Sequence, residues 1–403
     1  MKILNKKSSL LNIAVGAAIA LSLNLSSNLA CRADSFQFEL FKNLAKSKAT
    51  QNLLVSPYSV ETAMTMAALG ASGTTYEDMQ KALDLSDSPD KIGQNVLNDL
   101  NSFNEADENT SLKIVNNLFG EKEIKFDKSY TGLMKSHFQA DLTSLDFASN
   151  DSAQKINSWV KAKSDGKITS LIEKIDPAAS LYLINAIYFK STWAEQFDPS
   201  MTGEKSFHTA DEQMIKVPMM VADRKKFKYF SDNKLQALRL SYKNGRYSML
   251  FFLPNESSSL SELESQLSEE TWQNWLSSFN ENPGKITLPK FKIEDSMKLK
   301  SPLCSLGMSD AFDSQKADFS KMIDKSTQTE LYLSEVLHKT FIDVNEEGTE
   351  ATAATAVEAS SKTLDFTSKY FEMKLNRPFL FALHDQKTNK ILFLGHVADP
   401  SKK

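Results

Sequence analysis

Residues able to make and break bonds are present in this chain, but their spacing does not assemble them into a catalyst. The five histidines, His137, His208, His338, His384 and His396, fall in no close metal-ligating pattern, and no G-x-S-x-G nucleophile elbow occurs. Gly70-Ala71-Ser72-Gly73 fails that motif by spacing, and its simplest role is a turn ending the helix before it. No cofactor fingerprint is visible, so neither a cofactor nor a metal is expected. Only Cys31 and Cys304 occur, which excludes a disulfide framework. Cys304 lies in the apolar sequence Leu303-Cys304-Ser305-Leu306 and reads as a buried core thiol. What stands out instead is the stretch from Asn345 to Lys369, rich in Ala, Thr, Ser and Glu and without an apolar face. A structureless segment of that length inside a compact domain is commonly functional.

The elements around that stretch are strands and helices intermixed. Val336 to Val344 precedes it as a strand pattern, and Phe379 to Leu383 with Ile391 to Leu394 follow it as a hairpin closing on the polar sequence His384 to Lys390. Earlier, Leu181 to Phe189 and Met249 to Leu253 are largely apolar, β-branched or aromatic, and fit buried strands. Asp151 or Ser152 can cap a helix carrying Ile156, Trp159 and Val160 on one face, with Gly166 suited to its end.

Over 403 residues, a hydrophobic fraction of 41% and a charged fraction of 24% are those of an ordinary globular protein. The net charge of -4 gives no reason to expect nucleic acid or an anionic membrane as partner. No Pro- or Gly-rich linker marks an internal boundary. Lys2, Lys6 and Lys7, the apolar stretch Ile13 to Leu23 and the small-residue segment near Ala30 to Ala33 follow the plan of a secretory leader. We therefore expect a signal peptide over residues 1–33, cleaved near 30–33, one domain over 34–403, and an exported protein, periplasmic if bacterial. The apolar core is too short for a bilayer span, and no later segment is long enough for one. Lipid anchoring at Cys31 is the lesser alternative, since Asn28 and Leu29 before Ala30 do not fit the usual site.

Phe341-Ile342-Asp343-Val344-Asn345-Glu346-Glu347-Gly348-Thr349-Glu350-Ala351 resembles the hinge that precedes a serpin reactive-centre loop, and Met373 to Phe381 resembles that family's C-terminal signature. Asn52 to Val60, Leu183 to Lys190 with Trp193, Val217 to Met220 and Leu288 to Phe291 match other family motifs in order. The resemblance implies a mixed α/β fold in a single domain, with a dominant central sheet, a second and third sheet, about nine helices and a reactive-centre loop over about 346–370. It also implies a monomeric suicide inhibitor. A protease attacks the loop, and while the acyl-enzyme persists the hinge inserts into the central sheet and distorts the enzyme's catalytic apparatus. The inhibitor itself supplies no catalytic residue.

Insertion as a strand would place Thr349, Ala351, Ala353, Thr355 and Val357 on one face and Glu350, Thr352, Ala354, Ala356 and Glu358 on the other. The first set is small and uncharged, so it can enter the core, while the glutamates of the second stay in solvent. By the family's loop length, counting seventeen residues from Glu346 puts Lys362 on the acyl side of the reactive bond and Thr363 after it. A lysine there suits a trypsin-like protease with a carboxylate in its pocket. The segment Leu364 to Lys374 is longer than in many secreted serpins and leaves Lys369 as a second basic site. By the same resemblance Ser56, Ser59, Asn185 and His338 control sheet opening through a buried network, Trp193 packs at the top of the sheet, and Glu346 pairs there with Lys290.

Two other readings stand beside this one: a non-inhibitory serpin acting as carrier, storage protein or chaperone, and an inhibitor of cysteine proteases. The clean inserting face argues against the first. Heparin-type activation is not expected, because Asp90 to Leu100, where some serpins carry a basic helix, has one lysine and two aspartates.

Overall fold

A computed structural model of the protein describes residues 36–105, 109–327, 330–350 and 370–403. The chain begins with helix α1 over residues 36–47, strand β1 (Leu53–Val55) and helices α2 (Pro57–Leu69), α3 (Gly73–Leu83) and α4 (Pro89–Phe103). Next come β2 (Thr110–Glu121), α5 (Lys128–Phe138), β3 (Asp141–Leu145), α6 (Ser152–Lys163) and β4 (Leu181–Thr192). Four strands follow: β5 (Gly203–His208), β6 (Met214–Ser231), β7 (Leu235–Ser241) and β8 (Tyr247–Pro254). After α7 (Leu260–Ser265) and α8 (Glu269–Ser278) lie β9 (Asn280–Pro289), β10 (Phe291–Lys298), α9 (Lys300–Leu303) and β11 (Leu333–Val344). The last elements are the short β12 (Gly348–Thr349), then β13 (Phe371–Lys374), β14 (Phe379–Asp385) and β15 (Lys390–Val397).

The central sheet runs β10-β11-β12-β4-β2-β3. Its middle strand β4 is apolar along almost its whole length because both of its faces are covered. Leu181 and Leu183 join Met64 and Ala67 of α2 in one core cluster, and Ile187 and Phe189 join Phe251 and Phe381 of the other sheet in a second. The alternate residues Ile184 and Ala186 join Ile156 and Val160 of α6. Helix α2 is buried nearly throughout; Ser56 caps it by accepting from the Ser59 amide, and Pro57 starts its first turn.

The second sheet runs β1-β15-β14-β8-β7-β6-β9-β13, with β5 on β6. The second and third sheets expected from the sequence thus share one hydrogen-bonded path. The long strand β6 joins them: it pairs with β9 on either side of an irregularity between Ala222 and Lys225, and only its last part also pairs with β7. The nine α-helices among the described residues match the expected number.

The expected strands and the C-terminal hairpin are present, β14 pairing antiparallel with β15. Asp151 caps α6 by position but its side chain bonds Ser149 and Lys155 and accepts from no helix amide, and Trp159 is only half-buried. Cys304 is a correction: it is half-buried in a wide helical turn packed against the core's edge, and burial pushes its thiol up. Gly70 ends α2 without a left-handed backbone. It is glycine because a Cβ would meet Met322 Cγ at 2.2 Å.

Candidate functional site

The seam between β4 and β11 is the centre of the site. These strands pair in parallel from Leu181 opposite Leu333 to Tyr188 opposite Phe341, which sets Asn185 directly across from His338. Both side chains are fully buried, as are Ser56 and Ser59 at the start of α2 beneath them. The Ser56 amide donates to His338 Nε2 at 3.0 Å, so Nε2 is the acceptor and Nδ1 carries the proton it gives to Asn185 Oδ1 at 2.5 Å. Asn185 Nδ2 in turn donates to Ser59 Oγ at 2.6 Å and to Asn116 Oδ1 at 2.5 Å. Burial drives the His338 pKa down to about 3, so its ring is neutral. The structure brings together all four residues singled out from the sequence and adds Asn116 on β2. Asn116 and Asn117 stand inside the otherwise apolar run Ile114 to Phe119, a signal that was there to be read.

At the top of the same seam the chain reverses after β11, and β12 enters between the two strands. Thr349 pairs with Ser191 of β4 and with Val344 of β11, antiparallel to both. Gly348 lies so close to β4 that a Cβ would sit 2.1 Å from the Ser191 carbonyl oxygen, and its φ of +157° also disfavours a side chain. The Asn345 side chain holds this turn by accepting from the amides of Glu347 and Gly348.

Thr349 is fully buried, and its hydroxyl is 2.6 Å from that of Tyr242. Tyr242 stacks on Trp193 with ring centroids 4.5 Å apart. Trp193 grips the turn twice, through its amide to Glu347 O and through Nε1 to Asn345 O, both at 2.9 Å. Glu346 is mostly buried and accepts from Lys290 Nζ at 2.8 Å and Thr202 Oγ1 at 2.8 Å. Burial alone would raise its pKa, but those donors outweigh it and hold the carboxyl below its ordinary range.

The chain turns away at Glu350, whose backbone is left-handed at φ +51°. Its side chain is mostly covered and paired with Lys167; the solvent-facing placement expected for it belongs to the inserted strand, and β12 ends at Thr349. Residues Ala351, Thr352, Ala353, Ala354, Thr355, Lys362, Thr363 and Lys369 lie outside the described residues, as do Cys31 and the leader. The chain re-enters at Tyr370, whose hydroxyl bonds Asp223. Tyr242, Thr202 and Lys167 had no signal in the sequence, since each meets the hinge only through the fold.

The sequence pattern of one family, Serpin (serine protease inhibitor), matches residues 32–400. The chain belongs to the serpin family. This serpin is 37% identical to a leukocyte elastase inhibitor of Xenopus laevis over 383 residues, 93% of this chain and all of that protein. In three dimensions it is similar to tengpin, a thermophilic serpin in its native state, with a TM-score of 0.84, 32% identity, and 91% and 93% of the two chains covered. Human thyroxine-binding globulin is another neighbour, at a TM-score of 0.83 and 27% identity, with 93% and 99% covered. The family is one of protease inhibitors, and this chain is not an enzyme. No helix among the described residues is long and apolar enough to cross a membrane.

Proposed function

We propose that this serpin traps trypsin-like serine proteases at the acyl-enzyme of the Lys362-Thr363 bond and inactivates them by inserting its loop between β4 and β11. The observation that carries this is β12. Two hinge residues already sit as an antiparallel strand at the top of a parallel pair, with Thr349 inward as the alternating small residues require. Continuing that strand downward would separate β4 from β11 and replace each parallel contact with two antiparallel ones. About a dozen new backbone hydrogen bonds, at about 0.5–1.5 kcal/mol each, would supply on the order of 10 kcal/mol.

The path of that strand crosses the His338–Asn185 contact, so Ser56, Ser59, Asn185 and His338 act as the lock on sheet opening. Trp193, Lys290 and Glu346 hold the entrance in register. Lys362 is assigned by counting from Glu346 and suits a protease pocket bearing a carboxylate. The inhibitor would act as a monomer, and its secretion after removal of residues 1–33 is supported by the leader-like sequence and by a family match that starts at residue 32.

Cleavage within the loop tests insertion directly. Nicking between residues 356 and 362 should raise the thermal transition markedly, because the freed strand joins the central sheet. An unchanged transition after a confirmed nick would favour a non-inhibitory carrier, storage or chaperone role.

A further inference from the structure

We propose that a cleft behind Trp193 binds a small aromatic monocarboxylate, and that filling it restrains the hinge. The cleft lies between the segment following β4 and strands β6 and β7, and its volume is about 140 Å³. An apolar cavity of about 150 Å³ accepts benzene, so this one takes a single six-membered ring. Trp193, Phe197 and Phe227 line it and are each more than nine-tenths buried.

Lys225, Lys226 and Lys228 also line it, together with Glu195 and Glu281. The two glutamates lie 3.3 Å from Lys225 and 3.6 Å from Lys228. Neither Lys226 nor Arg239, which also lines the cleft, has a carboxylate partner among the described residues; the Arg239 guanidinium turns to Leu276 O and Gln386 Oε1, which leaves Lys226 as the cation available to a ligand. A ring against the aromatic walls with one carboxylate on Lys226 satisfies both halves of the site. A neutral ring forgoes the ion pair, and a dianion meets the two glutamates.

The walls of the cleft hold both ends of the loop. The amides of Trp193 and Phe197 donate to Glu347 O and Glu346 O, and Trp193 Nε1 donates to Asn345 O. Phe227 stands edge-on to Phe371 of β13, at 6.0 Å between centroids, where the chain returns from the loop. A ligand bridging residues 193–197 to β6 therefore ties the end of β4 to the second sheet. Drawing β4 away from β11 must then break ligand contacts, so occupancy opposes insertion.

The coupling rests on the inhibitory mechanism proposed above, whereas binding does not and is measured without a protease. Benzoate titrated into the intact protein should give saturable one-site heat and a change in tryptophan fluorescence. Benzyl alcohol and phthalate should bind more weakly, as should benzoate to Lys226→Glu, the last by about tenfold or more, as loss of about 1.4 kcal/mol requires. Absence of saturable benzoate binding, or undiminished binding to a Lys226→Glu protein with an unchanged thermal transition, would overturn the site. Saturating benzoate should also lower the ratio of covalent complex to cleaved inhibitor. An unchanged ratio at saturation would overturn the coupling while leaving inhibition itself standing.

Discussion

Acid should weaken the native state through His338, and replacing that residue should remove the effect. Burial holds the ring's pKa at about 3 in the folded protein against an ordinary 6.5. The unfolded chain therefore takes up a proton that the folded one refuses. With the folded value below the unfolded one, the contribution is complete above about pH 6.5 and is lost as pH falls toward 3. At about 1.36 kcal/mol per unit, linkage removes about 2 kcal/mol between pH 8 and pH 5. Any folded pKa well below 5 gives the same result there. His384 is also pushed down by burial and adds a loss of the same sign, so the informative quantity is a difference between two proteins. Thermal unfolding of the wild type and His338→Gln at both pH values supplies it. The wild type should lose about 2 kcal/mol more than the variant, a few degrees in Tm. Equal acid sensitivity would refute a buried neutral imidazole at the seam.

Three further outcomes follow from the hinge. Thr349→Arg should turn the inhibitor into a substrate, because the arginine would have to carry its charge into the site that buries Thr349 beside Tyr242; an undiminished ratio of complex to cleavage would contradict the inward placement. Tyr242→Phe should leave the Thr349 hydroxyl buried without that partner, at a cost of about 1–3 kcal/mol. Hydrogen exchange at residues 344–350 should then rise by about fivefold or more, and unchanged protection would show that the bond does not hold β12 in place. Lys362→Ala should abolish trapping of trypsin-like enzymes while shifting unfolding by no more than about 0.5 kcal/mol; retained trapping would move the reactive bond.

The strands that build the seam were legible because β4 is largely apolar, β-branched or aromatic and β11 carries Val336, Leu337, Phe341, Ile342 and Val344 among its polar residues, and the hinge was legible because its run of small residues is so unlike them. The network at the seam needed more than local pattern. Ser56, Ser59, Asn185 and His338 are scattered over 282 residues, from Ser56 to His338, and only the family resemblance grouped them. Tyr242, Thr202 and Lys167 stayed hidden because each meets the hinge only once the segments after β7, before β5 and after α6 are packed; of the three only Tyr242 is buried there. The Glu350–Lys167 pair was hidden for a related reason: alternation describes Glu350 only in an inserted strand, whereas here β12 stops at Thr349 and the backbone turns left-handed at Glu350. The single path shared by the expected second and third sheets likewise depends on how far β6 extends, which its charged residues Arg224, Lys225, Lys226 and Lys228 concealed.

The most direct test of the proposed mechanism is to incubate the protein with a trypsin-like protease and sequence the fragment it releases. Trapping at the acyl-enzyme predicts a covalent complex that survives denaturing electrophoresis and a C-terminal fragment beginning at Thr363. Clean turnover with no complex, at every enzyme ratio and across several protease classes, would contradict the account.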